Sequence, residues 1–494
     1  MLSALGRETR EYLAEVRPML IGGQWHRTAA EIASINPADG TAIGRFCVGG
    51  LPEVEAAVAA ARLAFAERRW YGLAPAERAN VMWRIADLID RDADTLAEIE
   101  TVDAGKLLGD ARRGDVAIAA AAFRYHAGWC TKVEGRLLDV SNAPPSEFHC
   151  YLRREPVGVA ALIVPWNGPL ALAAWKLAPA LAAGCTVIIK PPEQASLSVL
   201  RLGALLVAAG VPAGVVNIVT GPGRTVGEAL AAHTAVDKLS FTGSTETGRR
   251  IVRAASGNFK KLTLELGGKS PTLVFADADL DAAALGVVQG IFSHAGQVCV
   301  ANSRLYVQRA AHDAFLERLA TLARRLRLGP GLDPDSELGP LISAEHRSAV
   351  AGLVDASLAA GAVVVTGGKA RGGSGFFYEP TIMTNVTRDT PAVREEVFGP
   401  VLCATSFAGF DEAVALANDT HYGLAGSVWT RDLRTAHRVA AELKAGLIWI
   451  NAHGRPDVAV PFGGYKQSGW GREHGRDAVE SYTELKSVMA YLGD

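Results

Sequence analysis

Hydrophobic residues recur at spacings of three and four over much of the first third of the chain. The pattern covers 54–66 and 75–101, where Ala, Leu, Ile and Val stand between charged residues. Such spacing places apolar side chains on one face of a helix. We therefore expect helices over both stretches and a first third of the chain that is mostly helical.

The pattern changes at 157, where a continuous apolar run extends to 164 and ends at Pro165. This run is too short for a helix of that hydrophobicity and is typical of a buried parallel strand. After it, predicted helices alternate with further apolar runs. The runs are 186–189, 215–219, 238–241 and 262–266, and the helices are 170–183, 197–209, 226–233 and 246–255. This alternation predicts a parallel sheet with helices on both faces.

A second alternating region extends from 271 to about 450. Its apolar runs are 272–275, 304–307, 363–366, 402–407 and 447–450. We expect these runs to form a second α/β domain. The final segment, 481–492, alternates apolar and polar residues with no partner strand nearby, which is a pattern that often marks contact between subunits.

Composition and charge narrow the class of protein. The 494 residues contain 50 Lys and Arg against 52 Asp and Glu, which gives a net charge of −2. A chain so balanced has no global electrostatic attraction for nucleic acid or for an anionic membrane, so we expect neither as a partner. Hydrophobic content of 49% and charged content of 21% are typical of a globular protein of about three domains.

The six cysteines are scattered, with no CxxC pair and no His/Cys cluster at metal-ligand spacing. We therefore expect a reducing compartment and no metal site. Residues 1–17 carry several charges and lack the apolar core of a secretory signal. The most apolar stretches are interrupted by Pro165, Lys176 and Pro179 before they reach the roughly 20 residues that a bilayer requires. These features predict a cytoplasmic protein.

Two residues are candidates for covalent chemistry. Glu265 ends an apolar run just before Gly267 and Gly268, where parallel sheets bind their ligands. Cys299 follows a Gly-containing turn and could act as a thiol nucleophile, whose covalent intermediate a nearby carboxylate would help to discharge. Taken singly, each has an ordinary interpretation: a solvated turn glutamate, and an inert buried cysteine.

Three further stretches follow predicted strands. Asn167 could donate a hydrogen bond to an oxyanion, although asparagine is also common in turns. The stretch 241–248 joins a strand to a helix, where backbone amides can face a phosphate, but it is not a GxGxxG fingerprint. Lys190 and Glu193 follow the second strand, where an acidic group can accept from ribose hydroxyls.

Together these stretches resemble the aldehyde dehydrogenase superfamily, over nearly the whole chain from about 22 to 486. Two more matching stretches are Glu-Glu-Val-Phe-Gly-Pro at 395–400 and Pro-Phe-Gly-Gly-Tyr-Lys at 461–466. The resemblance implies an α/β fold with a discontinuous Rossmann-type NAD-binding domain (1–130 and 155–266), an α/β catalytic domain (267–476) and a small β oligomerisation domain (131–154 and 477–494). It also implies pairing of the terminal strand with 148–154, and a homodimer or homotetramer.

The resemblance assigns catalytic roles. Cys299 matches the nucleophile that adds to the aldehyde carbonyl, and Asn167, with the Cys299 N–H, would hold the oxyanion. After hydride transfer to nicotinamide, Glu265 would activate water to hydrolyse the thioester to a carboxylic acid. Lys176 and Glu473 match residues implicated in proton relay and orientation in some members. Because relatives that form acyl-CoA usually lack this glutamate, Glu265 favours hydrolysis.

The resemblance also assigns cofactor-binding positions. Lys190 and Glu193 would lie at the adenosine ribose, and an anionic Glu193 would repel a 2′-phosphate, which favours NAD over NADP. The pyrophosphate would lie near Trp166, Gly243 and Ser244. The nicotinamide ribose and ring would be held by Glu396 and Phe398.

The substrate is predicted from the tunnel positions. Many relatives place an aromatic residue where this chain has Gly168, and the segment 451–460 looks most like that of bacterial enzymes for phenylacetaldehyde and other aromatic or apolar aldehydes. We expect such a substrate; in the alternative, His453 or Arg455 meets the tail of a polar, aminated or semialdehyde substrate. The tunnel positions are Gly168, Leu172, Trp175, Phe292, His453 and Phe462.

Two other function classes use the same residues. A cysteine hydrolase acting on esters or thioesters could use Cys299, Asn167 and Glu265 without a cofactor, but it leaves the cofactor-binding positions unexplained. A catalytically silent scaffold is disfavoured because every catalytic position is occupied.

Overall fold

Two large sheets flanked by helices organise the computed structural model of the protein, which describes residues 2–493. In the first sheet, five central strands are parallel and the outer strands Gly469–Trp470, Met19–Ile21 and Gln24–His26 run antiparallel to their neighbours. The order of its eight strands is Gly469–Trp470, Lys261–Glu265, Lys238–Thr242, Val159–Ile163, Thr186–Lys190, Val216–Ile218, Met19–Ile21 and Gln24–His26.

The second sheet has seven strands, all parallel except for the antiparallel edge strand Val363–Thr366. Their order is Val363–Thr366, Thr381–Thr384, Val401–Phe407, Arg304–Gln308, Pro271–Val274, Ala425–Trp429 and Leu447–Ile450. A largely parallel sheet must be covered on both faces, and apolar clusters pack against both sheets.

The remaining strands form two small sheets. One joins Val16–Arg17, Ala42–Cys47 and Glu31–Ile35. In the other, the terminal strand Thr483–Tyr491 pairs antiparallel with Phe148–Pro156, which also pairs with Arg136–Leu138. The expected pairing of the terminal strand with 148–154 is confirmed.

Helices cover the large sheets and fill the remaining chain. Pro169–Ala183 is buried at every position, because it lies between the first sheet and other helices. The other α-helices are Arg7–Ala14, Leu51–Ala66, Pro75–Arg91, Ala93–Ala104, Leu108–Asp110, Ala117–Ala127, Leu197–Ala208, Glu228–Ala232, Thr245–Ala254, Leu280–Phe292, His312–Arg325, Ala344–Ala359, Pro391–Arg394, Phe410–Asn418, Leu433–Glu442 and Gly475–Ser481.

The α/β class and both alternating regions are confirmed, with three corrections. The expectation of a mostly helical first third is wrong for 16–47, which holds five short strands. The helical stretch 75–101 is broken at Asp92, where one helix ends and the next begins. The second sheet contains Thr381–Thr384 and Ala425–Trp429 in addition to the five predicted runs.

Candidate active site

Cys299 lies beyond a tight turn that follows the helix Leu280–Phe292. His294 and Ala295 adopt left-handed backbone conformations, with φ of 47° and 53°. Gly296 has φ of 73°, and a Cβ there would lie 2.1 Å from the carbonyl oxygen of Gly399. Only glycine fits such a position, so close packing of the turn fixes where the partly exposed Cys299 side chain emerges.

Gln297 ties this turn to its surroundings. Its side-chain amide donates to the carbonyl of His294 at 2.9 Å and to that of Pro340 at 3.3 Å, and its Oε1 accepts from the N–H of Ile342 at 2.8 Å. The backbone carbonyl of Gln297 accepts from Asn167 Nδ2 at 2.9 Å. One N–H of Asn167 thus orients the amide beside the Cys299 turn, and the other remains available to a ligand.

Glu265, the last residue of its strand, is buried at 2% exposure. Neither carboxylate oxygen has a hydrogen-bond partner. Burial, followed by the negative charge of Glu473, raises the pKa of Glu265 well above its usual value, while Lys176 and Arg472 oppose the shift. A carboxylate with a raised pKa is a stronger base than one in water. Gly463 leaves room for the Glu265 carboxylate, since a Cβ at Gly463 would lie 2.8 Å from Glu265 Oε1.

A buried polar network lies next to Glu265. Lys176 Nζ forms an ion pair with Glu473 Oε1 and donates to Ser240 Oγ at 3.1 Å. Ser240 Oγ in turn donates to Glu473 Oε1 at 3.2 Å, which leaves Glu473 Oε2 without a partner. The network links Lys176 to Glu473, the two residues that the resemblance matches to proton relay and orientation, and adds Ser240.

The resting thiol is protonated. Burial, together with the nearby carboxylates of Glu396 and Glu265, raises the pKa of Cys299 to about 12. Because the thiolate is the nucleophile, the thiol must transfer its proton to a base as it reacts.

The Glu396 carboxylate lies against the glycine turn that follows Glu265. Its Oε1 accepts from the N–H of Gly268 at 2.8 Å, and burial raises the pKa of Glu396 to about 7. A Cβ at Gly267 would lie 2.2 Å from Glu396 Oε2, and one at Gly268 would lie 2.5 Å from the carbonyl oxygen of Cys299. The two glycines therefore let Glu396 and the cysteine turn approach from opposite sides.

Three aromatic rings cluster beside this carboxylate. The Trp166 ring centroid lies 5.3 Å from that of Phe398 and 5.4 Å from that of His346, both edge to face. His346 Nε2 also lies 2.7 Å from the carbonyl oxygen of Phe398, whose backbone is left-handed with φ of 52°. The cluster offers flat apolar surface of the kind that a nicotinamide ring needs.

The remaining cofactor candidates lie at strand ends of the first sheet. Lys190 is 4% exposed, and burial lowers its pKa to about 8 against the opposing effect of Glu193. Ser244 Oγ accepts from the N–H of Thr247 at 3.2 Å and so caps the helix Thr245–Ala254. At Gly243 a Cβ would lie 2.5 Å from the Phe241 ring.

This set of groups fits a dinucleotide. Carboxylates at Glu193 and Glu396 can accept from ribose hydroxyls, and the N-terminus of Thr245–Ala254 suits a pyrophosphate.

Three of the predicted tunnel residues share one apolar cluster, and Phe292 belongs to another. Leu172, Trp175 and Phe462 are buried, and the rings of Trp175 and Phe462 lie 5.6 Å apart. A Cβ at Gly168 would lie 3.5 Å from Leu172, in ordinary contact, so Gly168 lies beside the same helix and adds no side chain there. Phe292 belongs to the apolar core of the second sheet.

The ring of His453 is held by contacts within the protein. Its Nε2 lies 2.8 Å from the carbonyl oxygen of Val300 and its Nδ1 lies 3.2 Å from Ser427 Oγ. Burial lowers the pKa of His453 to about 4, so the ring is neutral near pH 7 and braces the residue after Cys299. These contacts do not suit the alternative in which His453 meets an anionic substrate tail. Arg455 is exposed.

A profile described as the aldehyde dehydrogenase family matches residues 25–488. The chain belongs to this family. It is an aldehyde dehydrogenase, an enzyme that oxidises aldehydes to carboxylic acids with NAD(P). None of the helices among residues 2–493 is long and apolar enough to cross a membrane.

Similar aldehyde dehydrogenases have several substrates in their names. The chain is 48% identical to betaine aldehyde dehydrogenase of Bacillus subtilis, over 95% of this chain and 96% of that protein. It is 44% identical to phenylacetaldehyde dehydrogenase of Pseudomonas fluorescens, over 96% and 95%. An aldehyde dehydrogenase from Bacillus cereus, solved as its NAD+ complex, superposes with a TM-score of 0.97 at 40% identity and covers 99% of both chains.

Sequence reasoning had assigned no role to three residues that this aldehyde dehydrogenase uses to build its site: Ser240, Gln297 and His346. Ser240 had a detectable signal, because Lys238, Ser240 and Thr242 alternate within a strand that is otherwise apolar and buried. Polar residues on one face of a buried strand need partners, which points to a polar network.

Proposed function

We propose that this enzyme oxidises an apolar or aromatic aldehyde with NAD, with Cys299 as nucleophile and Glu265 as general base. The observation that carries the proposal is the buried Glu265 carboxylate, which has no partner of its own and lies near a protonated thiol held in a rigid turn. A base for the thiol and later for water is what a thioester route requires.

In the first step, the Cys299 sulfur adds to the aldehyde carbon while the thiol proton passes to Glu265. The C=O double bond opens to an oxyanion, which accepts hydrogen bonds from the free N–H of Asn167 and from the backbone N–H of Cys299. Asn167 is already oriented by the Gln297 carbonyl, so little reorganisation is needed when the charge develops.

In the second step, the oxyanion collapses to a thioester as the aldehyde hydrogen leaves with its electron pair. A bound nicotinamide cofactor supplies the acceptor for this hydride. Phe398 would hold its ring, Glu396 the adjoining ribose, and Lys190 with Glu193 the adenosine ribose, with Trp166 near the pyrophosphate. Gly243 and Ser244 would lie at the pyrophosphate.

Before the third step, Glu265 releases the proton that it took from Cys299 to the neighbouring network. The carboxylate then removes a proton from water, which attacks the thioester carbon, and later returns that proton to the sulfur. The C–S bond breaks, the carboxylic acid leaves, and the sulfur regains a proton. The buried network of Lys176, Ser240 and Glu473 lies next to Glu265 and can pass the excess proton onward through Glu473 Oε2, which has no partner.

The aromatic preference rests on the walls of the site. Trp175 and Phe462 supply buried rings, and Gly168 adds no side chain there. Asp115 also lies beside Gly168, since a Cβ there would be 3.4 Å from Asp115 Oδ1, but Lys106 pairs with this carboxylate and balances its charge.

A cationic substrate is the second candidate, because the same rings could face a quaternary ammonium and a relative is named for betaine aldehyde.

The test follows NADH formation across aliphatic, aromatic, aminated and semialdehyde substrates. Cys299→Ala should form no NADH, whereas Cys130→Ala, at a buried cysteine outside the site, should retain activity. Highest kcat/KM on aromatic aldehydes supports the substrate assignment, and highest kcat/KM on cationic aldehydes selects the second candidate. Ester or thioester hydrolysis without aldehyde oxidation would replace the proposal with a cysteine hydrolase.

NAD preference rests on Glu193. Its carboxylate suits a free 2′-hydroxyl and repels a 2′-phosphate. We expect kcat/KM for NAD to exceed that for NADP, and an equal or higher value for NADP would contradict the assignment.

The proposal extends to organisation and location. The domains proposed are NAD-binding at 1–130 and 155–266, catalytic at 267–476, and oligomerisation at 131–154 and 477–494, in a homodimer or homotetramer. A cytoplasmic location is supported by six free thiols and by a mouse relative named as cytosolic.

A further inference from the structure

His474 lies between the buried polar network and the walls of the proposed substrate site. It follows Glu473 in the chain and is 1% exposed. Its ring meets that of Trp175 edge to face, with 4.1 Å between the ring centroids, and its centroid lies 5.9 Å from that of Phe462. No step of the proposed reaction uses His474, although it contacts residues that the reaction needs.

The backbone of His474 is strained. Its φ is 66° and its ψ is 168°, a combination that is almost confined to glycine. A residue with a side chain persists in such a conformation only where surrounding contacts hold it, and strain of this kind concentrates at functional sites. Glycine would fit this backbone better than histidine, which points to a role for the ring.

Hydrogen bonds tie His474 and Gly475 to the segment 457–458. His474 Nδ1 lies 3.1 Å from the carbonyl oxygen of Asp457. Burial lowers the pKa of His474 below its ordinary value, so the ring is neutral at pH 7. Because a carbonyl oxygen only accepts, Nδ1 carries the proton and donates. The N–H of Gly475 donates to the carbonyl oxygen of Val458 at 3.0 Å, so the ring of His474 is anchored through both side chain and backbone.

The residue before His474 is tied to the second wall residue. Glu473 and Phe462 exchange two backbone hydrogen bonds of 2.7 Å each. The Phe462 ring lies 5.6 Å from that of Trp175. The three rings of His474, Trp175 and Phe462 therefore form one cluster that is fixed to the backbone at 473–475.

Trp175 depends on this cluster for its orientation. Its buried indole N–H has no hydrogen-bond partner, so ring packing and not a polar contact holds the side chain. Trp175 follows Leu172 by three residues and Gly168 by seven, which places the three on one face of Pro169–Ala183 and its first turn. A rotation of the indole would therefore change the shape of the proposed substrate site.

We propose that His474 is a positioning residue that determines specificity for bulky aldehydes by holding the Trp175 indole in the wall of the substrate site. The inference rests on the proposed function, because it takes Trp175 as part of that wall. His474 is itself too buried to meet the substrate, and it leaves Cys299 and Glu265 in place. Loss of its ring should therefore act on KM for a bulky aldehyde and not on kcat.

The direct test is a crystal structure of full-length His474→Gly beside that of the wild-type enzyme. Glycine adopts the backbone conformation of residue 474 without strain, so the chain should keep its course while the ring is removed. The Trp175 indole should then be displaced or take more than one rotamer, while Glu473 keeps its ion pair with Lys176. An unmoved indole overturns the proposal. A variant that does not fold also overturns it, since His474 would then serve the fold.

The kinetic test uses phenylacetaldehyde and propionaldehyde as probes. His474→Gly should raise KM for phenylacetaldehyde up to about tenfold, the loss of one aromatic contact, and change KM for propionaldehyde and both kcat values by less than about twofold. His474→Phe, which restores a ring without the Nδ1 donor, should recover most of the loss. His437→Ala, at an exposed histidine, should behave as wild type.

The outcomes separate this inference from the proposed function. Absence of NADH formation by the wild-type enzyme with either aldehyde would contradict the proposed function. Where the wild-type enzyme turns both aldehydes over, an equal change in KM for the two, a fall in kcat, or no recovery in His474→Phe overturns only the role of His474.

Discussion

Burial raises the proton affinity of both Cys299 and Glu265 before substrate arrives. Burial holds the proton on the thiol and also makes the Glu265 carboxylate more basic than usual. The same desolvation therefore weakens the nucleophile at rest and strengthens the base that activates it. In the proposed mechanism, reactivity depends on proton transfer between these two residues rather than on a preformed thiolate.

Glu265→Gln should slow thioester hydrolysis by about 10²- to 10⁴-fold, since an amide cannot take a proton from water. In rapid mixing with NAD and aldehyde, the variant should retain at most a single burst of NADH and then accumulate acyl-enzyme, detectable by mass spectrometry. Steady-state turnover near the wild-type rate would remove Glu265 from the base role.

The pH profile supplies the accompanying control. Glu265 acts only when deprotonated, and its raised pKa moves the acid limb of kcat to a pH well above 4.5, with activity increasing as pH rises through that pKa. The limb should disappear in Glu265→Gln.

At the scale of single residues, the sequence names candidates where recognisable local stretches mark them. Cys299, Asn167 and Glu265 could each be named because strand ends and glycine turns mark them. His453 could not be judged, because the partners that hold it neutral are 26 and 153 residues away in the chain. The buried contacts of His474 were likewise invisible, since they depend on elements that meet only after folding.

Among the helices, Ala93–Ala104 positions its neighbours through its carboxylates. Glu100 Oε1 accepts from the N–H of Leu170 at 3.1 Å, at the start of Pro169–Ala183, the helix that carries Lys176 and Trp175. Asp103 Oδ2 accepts from the N–H of Leu197 at 3.0 Å, at the start of the next helix. One helix thus caps two others.

Glu100→Ala should lower the free energy of unfolding by about 1–3 kcal/mol, because the buried N–H of Leu170 and the Ser198 hydroxyl lose their acceptor. Asp94→Ala, on the same helix but exposed, should change it by less than about 0.5 kcal/mol. Urea denaturation measures both, and equal effects would mean that the cap contributes nothing.

The turn before Cys299 offers a second comparison between matched variants. Gly296→Ala places a Cβ against the Gly399 carbonyl in a left-handed conformation, and it should lower kcat/KM by at least about 10²-fold by displacing Cys299. Gly352→Ala, in the helix Ala344–Ala359 with open space around it, should leave kcat/KM unchanged and raise Tm slightly. Wild-type kinetics for Gly296→Ala would contradict the rigid turn.

Long periodic elements were predictable from the sequence, whereas short edge strands were not. The buried strands Val159–Ile163 and Thr186–Lys190 are apolar throughout, so their pattern is strong. Strands such as Gln24–His26 are exposed at every position and contain only three residues, so their conformation depends on the pairing partner. The break at Asp92 leaves no strong mark in helical periodicity.

At the scale of the molecule, the strand Thr483–Tyr491 has one partner among residues 2–493, Phe148–Pro156, and a second edge that no strand of this range covers. Leu485, Met489 and Tyr491 on this strand are at least half exposed. An unpaired strand edge with exposed apolar residues is a surface suited to another subunit.

Deleting 484–494 should convert the proposed oligomer to monomer while both large sheets remain folded. Sedimentation equilibrium measures the mass, and far-UV circular dichroism checks the fold. The substitution Lys369→Met, far from this edge in sequence and exposed, should leave the mass unchanged. An unaltered oligomer after the deletion would place the interface elsewhere.

The strand Gly469–Trp470 has a consequence for how the protein is made. It pairs with Leu264 and Glu265, although about 200 residues that include the second sheet separate the partners in the chain. At about 5–20 residues per second, the ribosome needs roughly 10–40 s to deliver that partner after Glu265 emerges. During this interval the nascent first sheet has an open edge at the strand that carries Glu265, which is a period of exposure that chaperones would have to cover.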